Sequence, residues 1–184
     1  DDYQAASISF HERGKRFEQQ LELLTRLWAG EPVDEQTGPV GPPSVQPGGP
    51  EMLLGAYAPA ALSRLERWGN GYLAGGSDAQ FTNQFFRQAE ASWQRGGRPG
   101  KPRLVVCGPY GLGPDAAARS APYILDYYAY MGPMAPQIAA TLPSSPEAVK
   151  ATIRAFKEIG TDELVFIPCI PELDQVHRLM DCLE

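Results

Sequence analysis

Small residues gather at two places where a short apolar run gives way to a helical pattern. Met52-Leu53-Leu54 ends in Gly55-Ala56-Tyr57-Ala58, and Tyr72-Leu73-Ala74 ends in Gly75-Gly76-Ser77. Corners of this kind leave the main chain bare, so a flat ring or a phosphate can lie against it. The helix that follows offers free N–H groups and the positive end of its dipole. Glycine also serves ordinary strand-to-helix turns, so each corner alone is equally what a plain turn looks like. The pair, at matching places in successive units, marks Gly55, Ala56, Tyr57, Ala58, Gly75, Gly76 and Ser77 as candidate ligand-binding residues.

Other chemistry finds less support. The "GAYAPA" segment lacks the GxGxxG spacing, and no GxxxxGK[ST] loop is present. In "GPYGLG" (108–113), Pro109 and the following Pro114 argue for a rigid turn rather than a phosphate loop. The two histidines, His11 and His177, fall on surface-like helical segments. No Ser-His-Asp order, His-x-x-x-His pair or carboxylate cluster occurs, so no catalytic residue is assigned and no metal is expected. Asp115 and Arg119 have the spacing of a surface ion pair. Tyr123, Tyr127, Tyr128 and Tyr130 could contact a ring system, although helical spacing makes aromatic packing the plainer expectation. Cys107, Cys169 and Cys182 are odd in number and lack a CxxC pattern, which reads as reduced thiols in a cytoplasmic protein.

The elements that must position these residues follow a regular order. Ser9 and Glu12 have capping-box spacing, and Phe17, Leu21, Leu24, Leu27 and Trp28 make one helical stripe. Residues 31–50 are rich in Pro and Gly and read as a loop, with a short strand or hairpin near Val40 or Val45 as its only regular content. Four apolar runs follow, at 52–54, 72–74, 104–107 and 164–167, each with a helix behind it. The second helix is expected to turn Phe81, Phe85, Ala89 and Trp93 inward. Ser145-Pro146 is a cap and first turn, and the last helix starts at Pro171 with Leu173, Val176, Leu179, Met180 and Leu183 apolar. Short, continuously apolar strands alternating with helices predict a parallel sheet buried on both faces. That is an α/β architecture, either doubly wound or part of a (β/α)8 barrel. Both bind ligands beyond the C-terminal strand ends.

Bulk properties agree with a globular α/β chain of 184 residues treated as one domain. It is 43% hydrophobic and 21% charged, with a net charge of −6. That charge argues against a nucleic-acid partner, and no apolar run is long enough for a membrane span.

Three segments, "HERGKRFEQQLELLTRLWAGEPV", "GGPEMLLGAYAPAALSRLERWGNGYLAGG" and "SSPEAVKATIRAFKEIGTDELVFIP", in this order and spacing, resemble the bacterial luciferase-like flavin-dependent monooxygenase family. The resemblance covers nearly the whole chain. It implies the later strands and helices of a (β/α)8 TIM barrel, with residues 31–50 over the barrel mouth. It also implies FMN or a deazaflavin coenzyme held at Gly55, Ala56, Tyr57, Ala58 and, on the phosphate side, Gly75, Gly76 and Ser77. Many relatives have a second Gly where Ala56 stands, and an Asp-Gly-Trp where this chain has "GNGY". The early strands that normally supply the active-site histidine and much of a dimer interface have no counterpart in this sequence. The expected function is therefore oxidation of a small organic substrate, with a flavin reductase and a homodimer as family-type partners. The alternative is a noncatalytic flavin-binding protein or inactive barrel fragment. An aldolase-like phosphate barrel would want a Lys at a strand end, and the identifiable strand ends have none.

Overall fold

The computed structural model describes residues 2–76 and 78–183, which fall into two compact units, Asp1–Met52 and Leu53–Glu184. The first unit holds α1 (Asp2–Ala5), a 3-10 turn over Phe10–Glu12 and α2 (Arg13–Trp28). Ser9 caps that turn through its backbone position, but its side chain bonds nothing there, so the expected capping box is not made. Of the α2 stripe only Leu21 is buried, while Phe17 and Leu24 are exposed. The Pro/Gly-rich segment stays irregular, its one ladder contact being a bridge between Pro32 and Pro39. Gly49 closes this segment over Trp28. It sits at φ +102°, and a Cβ there would come within 2.5 Å of the indole. No other residue type fits both constraints.

The second unit is built on a four-stranded sheet of order β1-β2-β3-β4, parallel throughout: β1 (Leu53–Leu54), β2 (Gly71–Gly75), β3 (Arg103–Tyr110) and β4 (Glu163–Pro168). Consecutive strands lie side by side, each joined by a helical crossover. These are α3 (Pro59–Leu62) with a 3-10 extension over Ser63–Glu66, α4 (Ala79–Arg95), and α7 (Pro146–Glu158). Register places Tyr72, Leu104, Val106 and Tyr110 on the face covered by helices, where all four are buried. Gly71 is held to glycine because a Cβ would meet the Arg103 carbonyl at 2.2 Å. The opposite face carries Leu73, Val105, Cys107 and Pro109, then Val165 and Ile167. Val105 is buried, but Val165 and Ile167 are exposed, so the expected burial on both faces fails at β4, where no described element covers that side.

Three elements differ from the sequence expectation, each for a local reason. β3 runs on through Gly108-Pro109-Tyr110, so this part of "GPYGLG" is strand rather than turn. The Cys107 carbonyl accepts from Gly76 N–H, which points that edge of β3 at β2. Pro109 sits on the same edge two residues beyond, where β2 has ended, so its missing N–H costs no ladder bond. The buried stripe of α4 is Thr82, Phe86, Ala89, Ser92 and Trp93; Phe81 is exposed and Phe85 half-buried. α8 (Asp174–Asp181) starts later than Pro171, and Leu173, Val176, Met180 and Leu183 are exposed. α8 is anchored by Leu179 and Cys182, which pack with Tyr110, Leu112 and Val149, and by a buried polar group. The Gln175 amide accepts from Leu112 N–H and donates to Leu112 O, both at 2.8 Å, and the Tyr110 hydroxyl donates to Gln175 O. Ser145 caps α7 as expected, accepting from Ala148 N–H.

Between β3 and α7 the chain makes an excursion of two packed helices, α5 (Ala116–Tyr127) and α6 (Met134–Ala140). It leaves and returns at one point, where Gly111 N–H donates to Pro143 O at 3.1 Å. That neck stands at the C-terminal end of β3. The excursion packs Ile124 and Leu142 against Cys169, just past the end of β4.

Candidate functional site

The two small-residue corners are neighbours. β1 and β2 pair in parallel with Leu54 opposite Tyr72, so Gly55–Ala58 and Gly75–Gly76 leave the sheet at the same end of adjacent strands. Tyrosines fasten them in both directions. Tyr72, rooted in β2 and fully buried, donates its hydroxyl to Ala56 O at 2.7 Å. Tyr57, from the first corner, donates to Gly75 O at 3.1 Å. Burial pushes the Tyr72 hydroxyl pKa well up, with Tyr57 adding to the effect, so it stays a donor.

Gly55, Tyr57, Ala58 and Gly75 are exposed, and Ala56 and Gly76 half-buried; Ser77 lies outside the described residues. Backbones approach closely here. A Cβ on Gly55 would come to 3.3 Å from Leu73 O, and one on Gly108 to 2.8 Å from Gly76 O. The Tyr57 ring rests edge-on against Phe85 at 5.0 Å and beside Phe81 at 6.2 Å. This explains why those two phenylalanines leave the core stripe of α4. Asp78 caps α4, accepting from Phe81 N–H at 2.9 Å, and so places a carboxylate at the helix start beside the second corner.

The excursion brings a second set of groups to this end of the sheet. The Tyr128 hydroxyl pKa is raised, first by burial and then by the charges that would develop on Tyr127, Tyr130, Tyr57 and Cys107. Tyr128 packs against the cluster of Ile124, Leu142 and Cys169 and touches Tyr127 and Tyr130 with its ring. Tyr123 and Tyr127 stack nearly parallel, at 10° and 6.0 Å, and both are exposed.

A family model described as luciferase-like monooxygenase matches residues 1–147. The chain belongs to the luciferase-like monooxygenase family. Solved structures share the fold. Monooxygenase RslO1 from Streptomyces bottropensis aligns at TM-score 0.65 and 18% identity, over 98% of this chain and 62% of its own. An F420-dependent secondary alcohol dehydrogenase, solved with an F420-acetone adduct, aligns at 0.67 and 12%, over 96% and 63%. Riboflavin lyase RcaE, solved with modified FMN and riboflavin, aligns at 0.69 and 14%, over 98% and 60%. The chain therefore spans about 60% of the length of these structures. A search of curated proteins gives no match.

Within this family member, several sequence candidates resolve into structural roles. His11 and His177 are exposed. Arg119 pairs with Glu172 rather than with Asp115, which occupies the left-handed N-cap of α5 at φ +52°. Cys107 is half-buried on the open sheet face; Cys169 is buried, which pushes its thiol up to about 11, and Cys182 is buried too. Among the described residues no His, Cys, Asp and Glu group could hold a metal, and no helix is long and apolar enough to cross a membrane. Sequence reasoning found the corners but missed the bonds between them, Asp78 and the neck at Gly111–Pro143. Only Asp78 had a local signal, as an acidic residue just before a helix. The corners suit a flat, partly polar group: side-chain-poor, solvent-facing and held rigid. Asp78 works against a phosphate at the start of α4.

Proposed function

We propose that this chain is the flavin-holding part of an oxidoreductase acting on a small organic substrate, with FMN or the deazaflavin coenzyme F420 at the C-terminal strand ends of a (β/α)8 barrel. The observation that carries the reading is the pair of adjacent corners, locked by Tyr57 and Tyr72, in a member of the luciferase-like monooxygenase family. The F420 adduct and modified FMN in two structures of the same fold support the choice of cofactor.

In this reading Gly55, Ala56 and Ala58 give the ring system a bare backbone wall, and Gly75, Gly76 and Ser77 continue it. Tyr72 fixes the Ala56 carbonyl, and Tyr57 sets the separation of the two corners. The bound flavin would supply the hydride or oxygen chemistry, and the protein supplies position and shielding from water. A flavin reductase, a homodimer and a cytoplasmic setting belong to the same proposal. The second reading is flavin binding without turnover. It is favoured by the side chains that the second unit brings to the corners, Tyr57, Tyr72 and Asp78, while that unit's histidine, His177, lies on α8.

Separate titrations with FMN and with F420, followed by cofactor fluorescence, test the proposal. Binding of one, together with substrate-dependent oxidation of its reduced form, is the expected result. Binding without oxidation selects the second reading, and binding of neither overturns both.

A further inference from the structure

Four tyrosines occur within eight residues, at positions 123, 127, 128 and 130; core packing accounts for Tyr128, which lies against Ile124, Leu142 and Cys169, but not for the other three. Tyr123, Tyr127 and Tyr130 are 44%, 59% and 80% exposed. The rings instead contact one another in a continuous chain. Tyr123 stacks on Tyr127, Tyr127 meets Tyr128 edge-on at 4.9 Å, and Tyr128 leans on Tyr130 at 6.3 Å. None of the four hydroxyls is hydrogen-bonded to a described residue. The segment is also poor in charge: residues 120–145 contain no Lys or Arg, and Asp126 is their one acidic residue, while Arg119 just before them is paired with Glu172.

We infer that this tyrosine face of the α5–α6 excursion is the substrate-binding surface, and that its ligand is a neutral, planar aromatic molecule carrying hydroxyl or carbonyl oxygens. Each part of that class answers to a feature of the face. The nearly parallel Tyr123–Tyr127 pair presents flat π-surfaces, which favour a ring that stacks over a branched or saturated chain. The unpaired phenols give donors and acceptors for oxygens on the ring's edge. The lack of cationic side chains excludes a carboxylate or phosphate ligand that would need a counter-charge. Position supports the same assignment. The excursion is pinned at the C-terminal end of β3 by Gly111 and Pro143, so it stands at the same end of the sheet as the candidate cofactor corners.

This inference rests on the oxidoreductase reading for its meaning, but its test does not need turnover. Calorimetric titration of the chain with 1-naphthol, with its saturated counterpart 1-decalol and with benzyltrimethylammonium compares a planar phenol, a non-planar alcohol of the same skeleton and a cation. We expect 1-naphthol to bind tightest. Tyr127→Ala should weaken it roughly three- to tenfold, the scale of one aromatic stacking contact, while Tyr127→Phe retains most of the affinity. Tyr130→Ala, at an exposed position whose loss leaves the core intact, should also weaken it. Equal binding of 1-naphthol and 1-decalol, preference for the cation, or unchanged naphthol affinity in both alanine variants would overturn the inference. FMN and F420 titrations of Tyr130→Ala separate the two proposals. Cofactor binding with an indifferent tyrosine face removes this inference alone, and naphthol binding without any cofactor binding removes the oxidoreductase reading alone.

Discussion

At the scale of single residues, the candidate site depends on two phenol hydroxyls of unequal standing. Tyr72 is buried and its bond to the Ala56 carbonyl is short and part-buried, so Tyr72→Phe removes a donor that water replaces poorly. The expected cost is about 1–2 kcal/mol in urea unfolding. Tyr57 is exposed, and Tyr57→Phe should cost at most about 0.5 kcal/mol because water takes over its bond. Equal losses in the two variants would show that the corners are not fastened from the β2 side. Asp78 makes a sharper point about the ligand. Its carboxylate caps α4 but repels an anion at the same helix start. Asparagine keeps the cap and removes the charge. Asp78→Asn should therefore leave stability within about 0.5 kcal/mol and tighten FMN binding severalfold, by fluorescence titration. Unchanged affinity would move the phosphate away from this corner.

At the scale of elements, strands were more legible than faces. The apolar runs around Leu53, Leu73, Val105 and Val165 are all strands, because a parallel strand covered by helices needs little more than a short apolar run. The inward face of α4 was not legible. Phe81 and Phe85 have good helical spacing, yet their partner is Tyr57, whose position depends on the β1–β2 register and not on any local pattern. The corners were visible as small residues, but their mutual bonds depend on that same register. The join between β3 and β4 shows how one charge fixes such a register. Asp162 accepts from Leu104 N–H at 2.8 Å and from Lys101 Nζ at 3.0 Å, while its own N–H donates to Leu104 O. Partial burial opposes the ionised form, but the Leu104 bond and Lys101 outweigh it, so the Asp162 pKa is lowered. A lowered carboxyl pKa adds stability above its unfolded value, near pH 4, and that contribution is lost as pH falls through the lower folded value. Asp162→Asn should thus be less stable than the parent at pH 6, with the gap closing below about pH 4 in acid unfolding profiles. Parallel profiles would mean that the ion pair and cap contribute nothing to the seam.

At the scale of the whole molecule, apolar surface is left over in places that share no single cause. On the open side of the sheet, Val165 and Ile167 are 40% and 39% exposed although both lie in a strand. On and beside α8, Leu173, Val176, Met180 and Leu183 recur at helical spacing and all face solvent, because Gln175, Leu179 and Cys182 rather than this stripe dock the helix. A groove of about 320 Å³ between α7, β4 and α8 is floored by Ile153, Phe156, Leu164, Phe166 and Leu179. β4 also ends the sheet, with β3 its one neighbour among the described strands. An apolar groove beside an open strand edge is a surface that associates. The chain on its own should therefore self-associate between roughly ten micromolar and about one millimolar, the range in which such surfaces drive assembly. Sedimentation velocity across that range would show the mass-average coefficient rising with concentration. Met180→Glu, at an exposed position on the α8 stripe, should lower that rise without altering the circular dichroism spectrum, whereas an exposed site in the first unit such as Glu18→Lys should leave it unchanged. A constant, monomeric coefficient throughout would mean that neither the stripe nor the open edge is sticky enough to matter, and that the second unit is self-sufficient despite its uncovered faces.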